Sequence, residues 1–335
     1  MTKPLYNSIL VTGGCGFIGS HFIEKFSKLY PASKIVNIDN LGYSVSPNTI
    51  DLLHRIDNYT FEEVDISNYA NLSNIFKKNC FDAVFHFAAE SHVDNSIASP
   101  YEFINSNIIG TYNILECVRS SNSNQDIFLH HISTDEVYGA LSLEGAAFTE
   151  SNKYLPSSPY SASKASSDLL VEAWSHTFGI NYLITNCSNN FGSRQNSEKF
   201  IPKIINNALK NINIPIYGSG QNIRDWLYVD DHIDAIISLH VAGKKNTTFN
   251  VGGGFEISNI ELTHLILKIL EERHDQSGLL NLIQFVEDRK GHDFRYAINS
   301  SKLLKETGWA PKSSFNENLY KTIQWYVENL FWWDK

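Results

Sequence analysis

Short apolar or β-branched runs alternate, through the first half of the chain, with longer stretches in which apolar residues recur every three or four positions. Runs at 8–11, 34–39, 60–64, 83–87, 127–133 and 182–187 predict strands, and the stretches 17–29, 69–78, 101–121 and 160–178 predict amphipathic helices between them. Strands that are apolar along their whole length belong to a sheet covered on both faces, and a strand–helix–strand succession predicts parallel pairing with right-handed crossovers. The expected fold class is therefore α/β, with a doubly wound parallel sheet. The 160–178 helix has defined ends, because Ser158 can cap it, Pro159 suits its first turn and Gly179 can close it. Beyond residue 187 the alternation breaks down: 188–197 and 217–225 read as loops, and a last helical stretch lies near 315–330.

Length agrees with a change of architecture there. A single core stops growing at roughly 250 to 300 residues, and this chain has 335. We expect a first domain at 1–188, with 225–252 returning to it, and a smaller α/β substrate-binding lobe made of 189–224 and 253–335.

Composition narrows the function classes. Apolar residues at 42% and charged residues at 19% are those of an ordinary folded protein. A net charge of -9 without any dense basic run argues against nucleic acid or an anionic membrane as partner, so an anionic ligand would need local cations. No segment reaches the roughly 20 apolar residues of a membrane span, and the N-terminus lacks the apolar stretch of a signal peptide. Cys15, Cys80, Cys117 and Cys187 form no CxxC pair; reduced thiols and a cytoplasmic location are expected. No metal site is expected.

The first candidate site lies where the first predicted strand turns into the first helix. Gly13-Gly14-Cys15-Gly16-Phe17-Ile18-Gly19 contains G-x-G-x-x-G, in which glycines let backbone amides approach a pyrophosphate and the helix N-terminus favours the anion. A turn with a purely structural purpose is the competing reading. Asp39 ends the second strand, where a carboxylate accepts from both ribose hydroxyls and repels a 2′-phosphate. No Arg or Lys stands between Asp39 and His54. The doubly wound sheet is thus Rossmann-type, and its expected cofactor is NAD rather than NADP.

Two further groups carry chemistry. Tyr160 and Lys164, four residues apart, share one helix face, where the ammonium can lower the phenol pKa and make it a base toward a hydroxyl. A second pair with the same spacing, Tyr30 and Lys34, spans Pro31 and cannot share one helix. Ser133-Thr134-Asp135-Glu136 ends the fifth predicted strand, at the carboxyl edge where such sheets bind ligands. Neighbouring carboxyls can be driven to different pKa values, one serving as acid and the other as base. A solvated acidic loop is the alternative for that segment.

These segments, with Phe87-Ala88-Ala89-Glu90-Ser91-His92-Val93-Asp94, Cys187-Ser188-Asn189-Asn190-Phe191-Gly192, Asn222–Val229 and Asp288-Arg289-Lys290-Gly291-His292-Asp293, resemble the nucleotide-sugar 4,6-dehydratases of the extended short-chain dehydrogenase type, over nearly the full chain. The resemblance implies NAD-dependent dehydration of a nucleoside-diphosphate glucose, UDP-glucose or dTDP-glucose, to its 4-keto-6-deoxy form, in deoxysugar synthesis of the rhamnose type. Tyr160 would take the C4 hydroxyl proton while the C4 hydride passes to the nicotinamide, and Thr134 would hold the hydroxyl. Glu136 would remove the C5 proton, Asp135 would protonate the departing C6 hydroxyl, and the hydride would return to C6 and a proton to C5.

The same resemblance implies cofactor contacts from Gly13, Gly16, Phe17, Ile18, Gly19, Asp39, Asn40, Asp65, Ile66, Phe87, Ala88, Ala89 and Cys187, with Tyr160 and Lys164. It implies nucleotide-sugar contacts from Ser91, Thr134, Asn189, Asn190, Lys199, Phe200, Pro215, Tyr217, Arg224, Asn259, Arg289, His292 and Tyr296, and a homodimer built on the helices after the third and fourth strands.

Phe191-Gly192-Ser193-Arg194-Gln195 departs from the family's usual Tyr-Gly-Pro-Tyr-Gln, and Lys290 stands where a proline is usual. The aromatic cluster Phe331-Trp332-Trp333 is expected to pack on its own lobe. An NAD-dependent 4-epimerase or decarboxylase would share everything except the acid/base pair beside Thr134, and a catalytically silent NAD-binding scaffold is the alternative from another class.

Overall fold

The computed structural model describes residues 5–122, 126–274 and 277–332. Its strands are β1 (Ser8–Thr12), β2 (Lys34–Asp39), β3 (Tyr59–Glu63), β4 (Ala83–His86), β5 (Phe128–Thr134), β6 (Tyr182–Cys187), β7 (Asn189–Phe191), β8 (Ile214–Tyr217), β9 (Ile223–Tyr228), β10 (Thr247–Val251), β11 (Glu256–Ser258) and β12 (Ile283–Val286). Seven of them form one sheet in the order β10-β6-β5-β4-β1-β2-β3, with every pairing parallel. The order reverses at β1 and β4, which opens a crevice at the carboxyl ends of those strands.

Both faces of this sheet are covered, as the uniformly apolar strands require. On one face helix Phe17–Leu29 sets Phe22, Ile23 and Phe26, all fully buried, against Ile9, Val11 and Phe85, with Ile233 and Ile236 of helix Val229–Val241 beside them. On the other, Leu72, Ile75 and Phe76 of helix Tyr69–Lys78 join Ile114, Leu115 and Val118 over Leu10, Val84 and Leu129. Each such side chain contributes about 1.5–3 kcal/mol by burial.

Helix Pro159–Phe178 has the expected ends: a capping box between Ser158 and Ser161, Pro159 in the first turn and Gly179 in the left-handed conformation. The 101–121 stretch differs from the single helix predicted for it. Pro100–Phe103 and Thr111–Ser121 are α-helical, but Ile104–Gly110 winds as a π-helix. The wider turn carries the buried Asn107 side chain to the Glu90 amide (2.8 Å), the Glu90 carbonyl (3.0 Å) and the Ser163 hydroxyl (2.8 Å). Those bonds tie the loop after β4 to the Tyr160 helix.

After β6 the chain builds a second layer system. β11, β9 and β7 form a three-stranded sheet, and β12 pairs with β8. Helices Phe200–Leu209, Asn259–Arg273 and Phe315–Glu328 pack around these strands over a separate core that includes Ile204, Trp226, Leu267 and Ile323. The segment 188–197, read as loop, contains β7, and the loop reading of 217–225 holds for 218–222 but gives way to β9 from Ile223; β7 owes its existence to pairing with β9, from Asn189↔Trp226 to Phe191↔Tyr228, and β9 pairs with β11 on its other side. Helix Val229–Val241 and β10 return to the large sheet.

The departure at Ser193-Arg194 has a structural account. Arg194, buried and with φ 65°, reaches across to Glu24 at 3.1 Å, and Ser193 bonds His21 at 3.1 Å. Both partners lie on helix Phe17–Leu29, so these two residues tie the strand β7 turn to the first helix. At the C-terminus, Trp332 packs on Trp325 at 5.2 Å and its carbonyl accepts from Ser46 and Asn48, while Phe331 is exposed. Trp333 lies outside the described residues.

Candidate active site

One continuous cleft runs along the carboxyl edge of the large sheet. Gly13, Gly16, Phe17, Ile18 and Gly19 line it from the glycine turn, Asp39 and Asn40 from the end of β2, and Asp65 and Ile66 from the end of β3. Phe87, Ala88 and Ala89 follow β4, Cys187 ends β6, and Thr134, Asp135, Glu136, Tyr160 and Lys164 close the same wall.

A dinucleotide fits the first part of this cleft. Gly13 has φ +67°, and a Cβ there would stand 2.6 Å from the Ala88 backbone; a Cβ on Gly19 would stand 2.5 Å from the Gly13 carbonyl. Side chains are excluded at both, which leaves a bare backbone cradle. The Gly14 and Cys15 amides are taken by Asn37 (3.0 Å) and Asp39 (3.0 Å). The opening amides of helix Phe17–Leu29, which have no carbonyl partner within the helix, are therefore the donors available to an anion. Asp39 also accepts from the Leu41 amide at 2.9 Å, so it is fixed in place, with one further lone pair on each oxygen for ribose hydroxyls.

Thr134 ends β5 and its hydroxyl caps the short 3-10 turn Asp135–Tyr138, accepting from the Glu136 amide at 3.3 Å and facing the Asp135 carboxyl at 3.3 Å. That turn sets two adjacent carboxyls in different surroundings. Asp135 is buried and its Oδ2 has no partner among the described residues. Burial, then the Glu136 and Asp225 carboxyls, push its pKa well above the usual range. Glu136 is half-buried; burial raises it too, but the Arg224, Lys199 and Arg289 cations pull it back.

Tyr160 is buried, and its phenol is pushed well up by burial first and by Glu136 next, while Thr134 beside it pulls down. Lys164 does not supply the expected acidification directly: its ammonium donates to the Ile132 carbonyl at 2.8 Å and stands 3.4 Å from His131 Nε2. Burial lowers that ammonium to about 8, against the opposing pull of Asp168.

Of the residues expected to hold a nucleotide sugar, Ser91, Thr134, Asn189, Asn190 and Lys199 line the cleft. Lys199 donates to the Ser91 carbonyl at 2.9 Å and hydroxyl at 3.3 Å, and Asn190 is held by the Ser188 carbonyl and His232. The others gather in the second lobe beside that wall. The Arg224 guanidinium lies over the Tyr296 ring at 4.4 Å and donates to the Asp293 carbonyl at 3.0 Å. Arg289 grips Asp94 at 2.6 Å and lies over Tyr217 at 5.2 Å, and His292 bonds Asp288 at 2.7 Å. Phe200 stacks on Trp226, Pro215 sits within β8, and Asn259 opens a helix; these three, like Tyr217, Arg224, Arg289, His292 and Tyr296, are not part of the cleft lining.

Glu90, Ser188, Gln195 and Asn196 also line the cleft and were missed from sequence. Glu90 and Ser188 lie inside quoted motifs, which was the available signal, whereas Gln195 and Asn196 lie in or beside the divergent segment.

Residues 10–322 match the family described as GDP-mannose 4,6 dehydratase. A dTDP-glucose 4,6-dehydratase from Neisseria meningitidis serogroup B is 46% identical over 97% of this chain and 94% of its own. The chain belongs to the nucleotide-sugar 4,6-dehydratase family. A solved member, the dTDP-glucose 4,6-dehydratase of Streptomyces venezuelae with NAD bound, superposes with a TM-score of 0.90 at 38% identity, covering 98% of this chain and 99% of that one. A UDP-glucose 4-epimerase of Thermotoga maritima superposes nearly as well, with a TM-score of 0.84 at 27% identity over 96% and 99% of the two chains. Shape therefore does not separate this family from epimerases; the groups on the cleft wall must.

Proposed function

We propose that this chain is an NAD-dependent hydro-lyase that converts dTDP-glucose to dTDP-4-keto-6-deoxyglucose. The observation that carries the reading is the unequal carboxyl pair beside Thr134 and Tyr160: Asp135 is fully buried among other carboxyls, which pushes it well up, whereas the rise that burial gives Glu136 is opposed by nearby cations that favour its ionised form. Elimination of water from a β-hydroxy ketone needs an acid and a base acting on different atoms. An epimerase has no use for that pair.

Gly13, Gly16, the Phe17 and Ile18 amides and Asp39 hold the dinucleotide, Asp65, Ile66, Phe87, Ala88 and Ala89 shape its pocket, and Tyr160 and Lys164 face its reactive end. When bound, NAD supplies the acceptor for the C4 hydrogen, the donor that returns it to C6, and a positive charge beside Tyr160. Tyr160 takes the C4 hydroxyl proton, helped by Lys164 and held in line by Thr134. The resulting 4-ketone acidifies C5, Glu136 removes that proton, Asp135 protonates the C6 hydroxyl so that it leaves as water, and a proton goes back to C5 once C6 has been reduced. Arg224, Arg289 and Lys199 supply the local cations that an anionic nucleotide needs on a chain of net charge -9, and His292, which burial holds below the ordinary histidine value, is a neutral hydrogen-bonding neighbour.

Residues 1–188 with 225–252 form the cofactor domain in this reading, and 189–224 with 253–335 the nucleotide-sugar lobe. A homodimer built on the helices that follow β3 and β4 fits their exposed apolar side chains, among them Tyr69, 45% exposed, and Tyr101, 68% exposed. A cytoplasmic role in rhamnose-type deoxysugar synthesis suits the free cysteines.

The test is to incubate purified protein separately with dTDP-glucose and UDP-glucose and to record product mass. Loss of one water, faster with the thymine nucleotide, is expected. Unchanged mass with formation of the galactose isomer would move the assignment to the epimerases.

A further inference from the structure

The Tyr160 helix carries a third buried polar group on the same face. Tyr160, Lys164 and Asp168 follow one another at four-residue spacing, and Asp168 is fully buried. Its Oδ1 lies 3.2 Å from His131 Nε2, and its Oδ2 accepts from the Ser133 hydroxyl at 2.8 Å. The Lys164 ammonium stands 3.4 Å from that same His131 nitrogen. His131 and Ser133 both belong to β5, the strand that delivers Thr134 to the cleft. Lys164 is thus backed by Asp168 and His131, neither of which lines the cleft, whereas Ser133 does.

The groups facing Lys164 can be named element by element. Tyr160 and Asp168 lie on its own helix, His131 and the Ile132 carbonyl on β5, Cys187 on β6 and His86 on β4. Among the described residues, Asp168 is the carboxyl that bears on it; burial pushes that carboxyl up to about 7, against the pull of the Lys164 ammonium, the Ser133 hydroxyl and the Tyr154 phenol. Both imidazoles are kept neutral by burial, so they add no charge of either sign. His131 Nδ1 and Asp168 Oδ1 are both buried without a hydrogen-bond partner among the described residues, and the imidazole edge stands between the carboxylate, at 3.2 Å, and the ammonium, at 3.4 Å. A buried ammonium without a counter-charge sheds its proton. As a neutral amine, Lys164 would exert no field on the Tyr160 phenol.

We propose that Asp168, anchored by the Ser133 hydroxyl and lying across the His131 edge from the ammonium, is a positioning residue that keeps Lys164 protonated and fixed behind Tyr160. The proposal rests on the reading of Tyr160 and Lys164 as the base pair of the reaction, and it extends the Tyr-x-x-x-Lys unit by one helical turn. Asp168 itself touches neither the sugar nor the cofactor.

The experiment compares wild-type and Asp168→Asn holoenzyme, the variant being close in volume but uncharged. Lysine side chains labelled with nitrogen-15 report the titration of Lys164 by NMR, apart from any catalysis. The Lys164 midpoint is expected to fall by about one unit or more in Asp168→Asn, and the alkaline limb of the kcat profile to move to lower pH with it. The deficit would then grow to roughly tenfold on the alkaline side and shrink on the acid side, with KM for dTDP-glucose unchanged. A folded Asp168→Asn protein with an unmoved Lys164 midpoint and a pH-independent loss overturns the proposal. Should that variant fail to fold, Ser133→Ala decides: it removes one bond to the carboxylate and should move the midpoint the same way by less, and an unmoved midpoint again overturns the idea. If the wild-type protein does not dehydrate dTDP-glucose while the midpoint still moves, the reaction assignment falls and the counter-ion role of Asp168 stands.

Discussion

Asp135 and Glu136 are consecutive in the chain, yet the charges that bear most on Asp135 are carboxyls and those that bear most on Glu136 are cations. The 3-10 turn opened by Thr134 produces this split by turning one side chain into the sheet edge and the other toward the second lobe.

The split predicts two different lesions. Glu136→Gln should leave C4 oxidation possible but block C5 deprotonation, so turnover falls by roughly 100-fold or more and reduced-nicotinamide absorbance accumulates in a single turnover. Absence of that rise would remove Glu136 from the base role. Asp135→Asn should lose a similar factor on dTDP-glucose but much less on a 6-fluoro analogue, whose leaving group needs no proton.

Gly13→Ala is expected to abolish cofactor retention. The new methyl would meet the Ala88 backbone at 2.6 Å on a residue at φ +67°, and strain of that kind costs on the order of 1–3 kcal/mol before any clash is relieved. Calorimetric titration with NAD checks it; wild-type affinity in the variant would contradict the cradle described above.

Arg289→Ala should raise KM for dTDP-glucose by roughly 10- to 100-fold with little change in kcat, because the guanidinium binds ground and transition states alike. Steady-state kinetics separate the two constants. A selective fall in kcat would place Arg289 in the chemistry instead.

Acid should unfold the protein early. Burial holds His232 and His240 down to about 3, and lowers His86, His130 and His131 well below their ordinary value. A histidine with a lowered folded pKa contributes stability that is complete above the unfolded value, about 6.5, and is lost as pH falls toward the folded one. Each such group loses roughly 1.4 kcal/mol per pH unit in that window. Thermal midpoints should therefore drop between pH 7 and pH 5 (about two units,); a flat profile over that range would mean that these rings are not neutral partners in the fold.

Much of the first domain was legible because uniformly apolar strands and three- and four-residue spacing are local signals. The Tyr30/Lys34 decoy was correctly set aside: Tyr30 caps a helix end and Lys34 starts β2. The π-helical turn at Ile104–Gly110 was not legible, since it depends on Asn107 reaching Glu90 and Ser163 from distant parts of the chain. β7 was missed for the same reason: its Asn-Asn-Phe sequence has no strand preference, and β9 supplies the pairing. Asp168 was not singled out, although it continues the Tyr160 spacing by one turn, because its neighbours His131 and Ser133 come from β5 and spacing alone gives a buried carboxyl no purpose.

The position of β10 has a consequence for how the molecule is made. β10 pairs with β6 at the edge of the large sheet, 60 residues after β6 ends at Cys187, and the intervening chain includes β7, β8 and β9 of the other lobe. On the ribosome, the first domain can therefore assemble six strands early but must leave the β6 edge unpaired until Val251 has emerged. During synthesis that edge is the surface most open to mispairing, and the late-arriving strand, rather than the cofactor turn at the N-terminus, is what seals it.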